Sequence, residues 1–206
     1  MDQIIKEKSM RKKDRKMRNL LKTKHGSLRS DYTVLLDCDV VFTISLIDDM
    51  IKQLSKIKNI VGLSPFGICY DSYLKHKNPC HYYDSLALIT KDKFGHKQSA
   101  NTCLFKQCEP CKKKRKNTGI VISEKYLLSE RRLNVVDSLF GGFLLLRTSD
   151  YNNVRWDNKN NDFCEHHSFC QQLRKFGKIV LNPFFKVVTT VPDKRDYTNI
   201  YKTILS

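Results

Sequence analysis

The chain has 206 residues, of which 40% are hydrophobic and 10% aromatic. This composition excludes wholesale disorder and suits a single globular domain. The formal net charge of +17 favours anionic partners, among which nucleotide diphosphates, nucleic acid and acidic membrane surfaces all qualify.

The sequence also bears on the cellular compartment. The first ten residues are charged and lack an apolar core, and no uninterrupted apolar run approaches the ~18 residues of a membrane span. Eight irregularly spaced cysteines in a chain of this length favour reduced thiols over a disulfide framework. We therefore expect a cytoplasmic protein.

Residues 1–30 form the first predicted element, a basic amphipathic helix. Apolar residues fall on one helical face and cations crowd the rest, until Gly26 ends the helix. Arg18 and Asn19 lie on this helix. They are either part of a binding site or solvated surface residues, and the sequence leaves both interpretations open.

Residues 31–64 contain a predicted strand, helix and strand that begin with an acidic motif. The run DYTVLLDCDVVFT at residues 31–43 is apolar around Asp37 and Asp39, which indicates a buried strand in the centre of a parallel sheet. Strand alternation places the two carboxylates on one side. Because burying them is costly without a cation, we expect a Mg²⁺ or Mn²⁺ site at the strand end. The alternative is two aspartates that cap a turn.

A helix and a second strand are predicted after the acidic motif. SLID at residues 45–48 resembles a capping box, and apolar residues from Leu46 to Ile57 recur at helical spacing. Residues 60–63 are apolar and precede a Pro-Phe-Gly turn at residues 65–67, which indicates the next strand of a βαβ unit.

Residues 65–119 form the least regular segment, with strand character only at residues 82–89. The spacing of Cys108 and Cys111 matches half of many structural zinc sites. Cys103 together with Cys80, His81 or His96 could complete a tetrahedral site. A structural Zn²⁺ is therefore one interpretation, and ordinary reduced thiols in a loop are the other. The basic run KKKRK that follows suits either a nucleic-acid patch or a solvated loop.

Residues 120–190 return to a regular pattern, and residues 191–206 form a weakly patterned tail. Gly141 and Gly142 interrupt an apolar strand. Paired glycines at such a place indicate either close approach of a ligand to the backbone or a β-bulge without a ligand.

The last regular elements are a helix at residues 162–176, closed by Gly177, and a short strand at residues 179–181. Asp162 and Glu165 have the spacing of a capping box at the start of this helix. A capping box requires no catalytic role for Glu165.

The motifs occur together in the order seen in glycosyltransferases of the GT-A fold. Asp37-Cys38-Asp39 after an apolar strand resembles the DxD motif of that fold. Over residues 15–190 the chain resembles the chlorovirus and giant-virus glycosyltransferases and related fungal mannosyltransferases. The other motifs that carry the resemblance are MRNLL at residues 17–21, YYDSLAL at 82–88, FGGF at 140–143 and CEH at 164–166.

The resemblance implies an α/β fold of the GT-A type, a Rossmann-like mixed sheet with flanking helices, in a single domain over residues 1–206. It implies transfer of a sugar from a nucleotide diphosphate sugar to a hydroxyl of a glycan or glycoprotein acceptor. The implied cofactor is Mn²⁺ or Mg²⁺, and nucleic acid is not an expected partner.

The resemblance also implies roles for individual residues. Asp37 and Asp39 would hold the metal, with Asp37 also contacting the nucleotide, and Glu165 would deprotonate the acceptor if the enzyme inverts the anomeric centre. Arg18 and Asn19 would lie near the nucleotide. The residues implied for the donor and acceptor sugars are Tyr83, Asp84, Gly141, Gly142 and His166.

Two features depart from the family pattern. The GT-A fold opens with a strand, helix and strand that form the base-binding half, whereas no strand-like run precedes Asp31. We therefore expect the nucleobase pocket to be absent or to be supplied by an upstream segment or another chain. Many members of the family also carry a metal-binding histidine late in the chain, whereas no histidine follows His167 here.

Two other interpretations remain open. A basic, zinc-containing nucleic-acid-binding module would use Cys103, Cys108 and Cys111 together with the neighbouring lysines. An inactive remnant would keep the fold for structural or partner-binding reasons.

Overall fold

The computed structural model describes the protein over residues 30–37, 40–69, 87–89, 131–156 and 164–189. Over these residues the chain is a mixed α/β structure built around a six-stranded sheet, which confirms the predicted α/β class. No helix in this described part combines the length and the apolar character that a membrane crossing needs.

The sheet is mixed in direction. Its strands are β1 (Tyr32–Leu36), β2 (Val40–Val41), β3 (Ile60–Cys69), β4 (Asn134–Val136), β5 (Phe143–Arg147) and β6 (Lys178–Thr189). The strand order is β1-β5-β3-β6-β2, and β4 pairs with β6 off this path. The β3 and β6 strands are parallel, and the other described pairs are antiparallel. Because β1 and β3 are each antiparallel to β5, they run in the same direction.

The described residues include three helices beside the sheet, namely α1 (Ile44–Lys56), α2 (Thr148–Asn152) and α3 (Glu165–Leu173). The α1 helix buries Leu46, Met50 and Leu54, which recur every four residues and so lie on one face. This confirms the helical periodicity that the sequence predicts. The helix begins at Ile44 with Thr43 as its N-cap, so the predicted capping box at residues 45–48 is wrong.

The hydrophobic core lies on both faces of the sheet, and β5 shows this most clearly. Phe143 and Leu145 pack in a cluster with the buried face of α1. Leu144 and Leu146 belong to a second cluster, which includes Phe169 and other residues of α3. Because side chains alternate along a strand, β5 is covered on both sides.

The β1 strand differs from the prediction of a buried, central strand in a parallel sheet. Among the described strands it lies at the edge of the sheet and pairs antiparallel with β5 alone. Its residues are only partly buried, and Leu36 is 46% exposed. An apolar run therefore marks this strand correctly but not its place in the sheet.

The chain also turns back within the acidic motif, where a single strand is predicted. Val40 N donates to Asp37 O at 3.4 Å, the bond of a four-residue turn. After the turn, β2 runs antiparallel to β6, which makes it opposite in direction to β1. The prediction of a single strand through the motif is therefore wrong. The prediction that Asp37 and Asp39 lie on one side depends on Asp39, which lies outside the described residues.

The β3 and β6 strands are longer than predicted. The proposed turn at residues 65–67 lies inside β3, and residues 179–181 are only part of β6. The parallel ladder pairs Pro65 with Asn182 and then Phe66 with Lys186, so residues 183–185 bulge out of β6. Proline has no backbone N–H to donate to a neighbouring strand, and the break in register beside Pro65 accommodates this missing hydrogen bond.

Several predictions fall outside the described residues. They are the helix over residues 1–29 with Arg18 and Asn19, the aspartate Asp39, the acceptor-side pair Tyr83 and Asp84, and the cysteines Cys103, Cys108 and Cys111. Of the strand predicted at residues 82–89, the described end includes Ile89, which forms an isolated antiparallel bridge with Ser138.

Candidate functional site

Asp37 lies at the end of β1, directly beside the paired glycines. The ladder between β1 and β5 ends with Leu36 opposite Phe143. One residue further, Asp37 N donates to Gly142 O at 2.9 Å. The structure therefore brings together two motifs that lie more than a hundred residues apart in the sequence.

Gly141 and Gly142 have φ angles of 63° and 78°, in the left-handed region that glycine tolerates best. A Cβ at Gly142 would lie 2.6 Å from Val40 Cγ2 and 3.7 Å from Asp37 Oδ2. Val40 therefore leaves no room for a side chain at Gly142, and the Asp37 carboxylate lies against the same position. Close packing and the left-handed backbone together require glycine here.

The β3 strand packs directly against the segment that contains Gly141 and Gly142. A Cβ at Gly67 would lie 2.5 Å from Gly141 O, so the two backbones are in close contact. The buried Ser64 hydroxyl donates to Phe143 O at 2.8 Å and also lies 3.1 Å from Phe140 O. Ser64 was not predicted as part of the site. The available signal was a lone hydroxyl between two glycines in an otherwise apolar strand.

A second group of functional side chains begins α3. Cys164 is the N-cap residue, Glu165 is the first helical residue and His166 follows. Cys164 Sγ lies 3.2 Å from His166 Nδ1, and one ligand atom from each of the three residues lies within 4.8 Å of the others. Cys164 and His166 are buried and Glu165 is half-buried. This cluster, the Cys-Glu-His cluster, can hold a metal ion.

The start of α3 corrects the predicted helix. The sequence predicts a helix from Asp162 with Glu165 as the reaching residue of a capping box. The observed N-cap is Cys164, and α3 ends at Leu173, before the turn that leads to Gly177. Since the capping box places its acidic residue three positions after the N-cap, Glu165 does not occupy that role.

Phe140 joins the two halves of the candidate site. Its ring stacks on the His166 imidazole with a centroid separation of 4.2 Å and an interplanar angle of 18°. In the next turn of α3, Cys170 Sγ lies 3.5 Å from Leu139 O. The segment from Leu139 to Gly142 therefore makes contacts at both of its ends. Gly142 contacts Asp37 at the end of β1, and Leu139 and Phe140 contact α3.

Trp156 completes the aromatic support of His166. The Trp156 ring meets the imidazole edge-on at a centroid distance of 5.5 Å and stacks on Phe169 at 4.0 Å. Phe140 and Trp156 thus contact the imidazole from two directions, which fixes the plane of its ring. Trp156 is the single tryptophan of the sequence, and it is buried.

Two other carboxylates lie near these elements but have cationic neighbours. Asp137 Oδ1 lies 2.8 Å from Arg174 Nη2. Burial raises the pKa of the Asp150 carboxyl, and the nearby Arg147 guanidinium partly opposes the shift. The Asp137 carboxylate is engaged by Arg174, whereas the described contacts of Glu165 place it in the cluster with Cys164 and His166.

Comparison with models of known protein families finds no match, and a search of curated proteins finds no significant match either. Support for a function therefore comes from the residues of this chain and their geometry.

Proposed function

We propose that the protein is a metal-dependent glycosyltransferase of the GT-A type, which moves a sugar from a nucleotide diphosphate sugar to a hydroxyl of a glycan acceptor. The observation that carries the proposal is the contact between Asp37 and Gly142 at the end of β1. The resemblance associates both motifs with the donor, and folding makes them neighbours. The contact therefore brings the aspartate of the DxD motif next to a glycine of the FGGF motif.

The residues present fit a hard divalent ion. Asp37 offers carboxylate oxygens at the end of β1, where Oδ2 lies 3.7 Å from the position that a Cβ of Gly142 would take. Carboxylate oxygens suit Mn²⁺ or Mg²⁺, which protein and substrate phosphate can hold jointly. Such an ion would neutralise the charge of the leaving diphosphate. Asp39, two residues after Asp37, is the proposed second ligand.

Glu165 is the proposed base. It is half-buried at the start of α3, next to His166, whose ring is held by Phe140 from the glycine segment. A carboxylate in this position can accept the proton of the acceptor hydroxyl as the oxygen attacks the sugar. His166 is proposed to contact the sugar, and the high positive charge of the chain favours an anionic donor.

The proposed base is tested by Glu165→Gln in the full chain. With Mn²⁺ and a panel of uridine and guanosine diphosphate sugars, we expect release of nucleoside diphosphate to fall ~10²-fold or more, because glutamine does not accept a proton at neutral pH. Binding of metal and donor should persist. The measurement is initial rate against donor concentration, with binding followed by calorimetry.

Asp137→Asn is the matched control, because it removes a carboxylate that lies in an ion pair with Arg174. Its rate should stay within a few-fold of the wild-type rate. An active Glu165→Gln protein with an inactive Asp137→Asn protein would assign the base to Asp137 instead. Activity in both variants would exclude both carboxylates.

A further inference from the structure

We propose that the Cys-Glu-His cluster is a second metal site that selects Zn²⁺ or a similar thiophilic ion over Mn²⁺ and Mg²⁺. Nothing in the proposed transfer reaction requires such an ion. The inference therefore goes beyond the proposed function and stands on the chemistry of Cys164, Glu165 and His166.

The geometry of the cluster is close to that of a bound ion. With Zn–S near 2.3 Å and Zn–N near 2.0–2.1 Å, tetrahedral coordination separates sulfur from nitrogen by about 3.5 Å. The observed separation of Cys164 Sγ from His166 Nδ1 is 3.2 Å. An adjustment of about 0.3 Å in the two side chains is sufficient. The Glu165 carboxylate lies within the same 4.8 Å group and supplies a third ligand.

The surroundings hold these side chains in place. Cys164 is the N-cap residue of a nine-residue helix, and its Sγ lies beside Nδ1 of His166. The neighbouring imidazole coordinates through Nδ1 in its neutral form, and its plane is fixed by Phe140 and Trp156. On binding, the thiol proton leaves to the solvent as the metal–sulfur bond forms. Three protein ligands leave one tetrahedral position open, as in catalytic rather than structural zinc sites.

The selectivity follows from ligand softness. Thiolate and imidazole favour Zn²⁺, whereas the carboxylate of Asp37 suits Mn²⁺ or Mg²⁺. If Glu165 is the base, an inference that rests on the proposed function, Zn²⁺ at the cluster would occupy the carboxylate and inhibit transfer. Zinc binding itself is measurable without any transfer activity, so failure of one proposal is distinguishable from failure of the other.

The test uses Co²⁺ as a spectroscopic probe of the full chain, followed by competition with Zn²⁺. A Cys103→Ser, Cys108→Ser, Cys111→Ser background removes the other cysteine group considered for zinc. In that background we expect a cobalt–thiolate charge-transfer band that Zn²⁺ abolishes and excess Mn²⁺ does not. Adding Cys164→Ser should remove the band and weaken Zn²⁺ binding by more than ~100-fold.

Cys170→Ser is the matched control, since Cys170 is a buried cysteine of the same helix that lies against Leu139 O instead of His166. It should retain the band. Glu165→Gln, at a half-buried position, should weaken Zn²⁺ binding without loss of the fold, which thermal unfolding of the metal-free proteins verifies. A band that survives Cys164→Ser, or no band in the folded triple-serine protein, would overturn the proposal.

Discussion

Gly142 is the residue at which one added methyl group would disturb both the backbone and the candidate site. Its φ of 78° is unfavourable for any residue with a Cβ, and the new atom would lie 2.6 Å from Val40 Cγ2. We expect Gly142→Ala to lower the free energy of unfolding by about 2–4 kcal/mol, from backbone strain and overpacking together. Urea denaturation with an unchanged slope would measure this loss.

Gly62→Ala provides the comparison for Gly142→Ala. A Cβ at Gly62 would meet the flexible ends of Leu146 and Leu144 at 3.1 Å and 3.4 Å, and the backbone there is not left-handed. Its loss of stability should be clearly smaller, by at least ~1 kcal/mol. Equal losses in the two variants would show that the conformation of Gly142 carries no special cost.

The protonation of Asp150 makes part of the free energy of unfolding depend on pH. Burial raises the pKa of its carboxyl in the folded state, with Arg147 acting in the opposite direction. The folded protein therefore binds this proton more tightly than the unfolded chain. The resulting stabilisation is fully present below the unfolded pKa of about 3.9 and is lost as pH rises through the raised folded value.

Asp150→Asn tests this term, because asparagine is neutral throughout. As pH rises from below 4 through the acidic range, the wild type should lose stability relative to Asp150→Asn. Thermal unfolding of both proteins across this range measures the difference. A difference that does not change with pH, or one that changes in favour of the wild type, would contradict the assignment.

Arg147 ties the end of α1 to the sheet. Its guanidinium donates to Ile60 O and, at 3.0 Å, to Leu54 O near the end of the helix, where carbonyls lack helical partners. Arg147→Met keeps the apolar stem but leaves both carbonyls without this donor. We expect a loss of about 1.5–3 kcal/mol in the free energy of unfolding, measured by chemical denaturation.

Arg174→Met is the matched variant for Arg147→Met. Arg174 lies at the end of α3, and its ion pair with Asp137 is partly exposed. The Arg174 side chain is 46% accessible. Exposed ion pairs contribute about 0–1 kcal/mol. A larger loss in Arg174→Met than in Arg147→Met would reverse the proposed ranking of the two contacts.

The elements differ in how far their sequence predicts them. Periodicity identifies the buried face of α1, because Leu46, Met50 and Leu54 must share one side of any helix that contains them. The apolar run of β1 identifies a strand but not its neighbours, since an edge strand and a central strand can have the same composition. The reversal between Asp37 and Val40 is not marked by glycine or proline, but aspartate is itself a residue that turns favour. The alternative of two aspartates that cap a turn was therefore the available signal.

The candidate site was predictable only in part for a related reason. The local context of Asp37 predicts a site residue at the end of a strand. The local context of Gly142 allows either a ligand or a β-bulge, and only the resemblance implies that Gly142 belongs to the site. The stacking of Phe140 on His166 depends on how α3 packs against the sheet, which no local pattern specifies. The same packing brings the Cys-Glu-His cluster to the glycine segment.

At the scale of the whole molecule, two different kinds of metal-coordinating side chain lie around the segment from Leu139 to Gly142. Asp37 offers carboxylate oxygens near Gly142, and α3 offers sulfur and nitrogen beside Phe140. The net charge of +17 raises the local concentration of anions such as nucleotide diphosphates. Under the proposed function, the oxygen ligand binds the donor's metal and the helix supplies the base.

The central claim is that Asp37 helps to bind a divalent ion together with a nucleoside diphosphate. Its most direct test is thermal unfolding of the wild type, Asp37→Asn and Asp48→Asn with Mn²⁺ and either uridine or guanosine diphosphate. Asp48 is an exposed carboxylate on α1 and serves as the control. The wild type and Asp48→Asn should gain about 2.7 kcal/mol at a hundredfold excess over Kd, whereas Asp37→Asn should gain little. Equal gains in all three proteins, or no gain in the wild type with either nucleotide, would contradict the account.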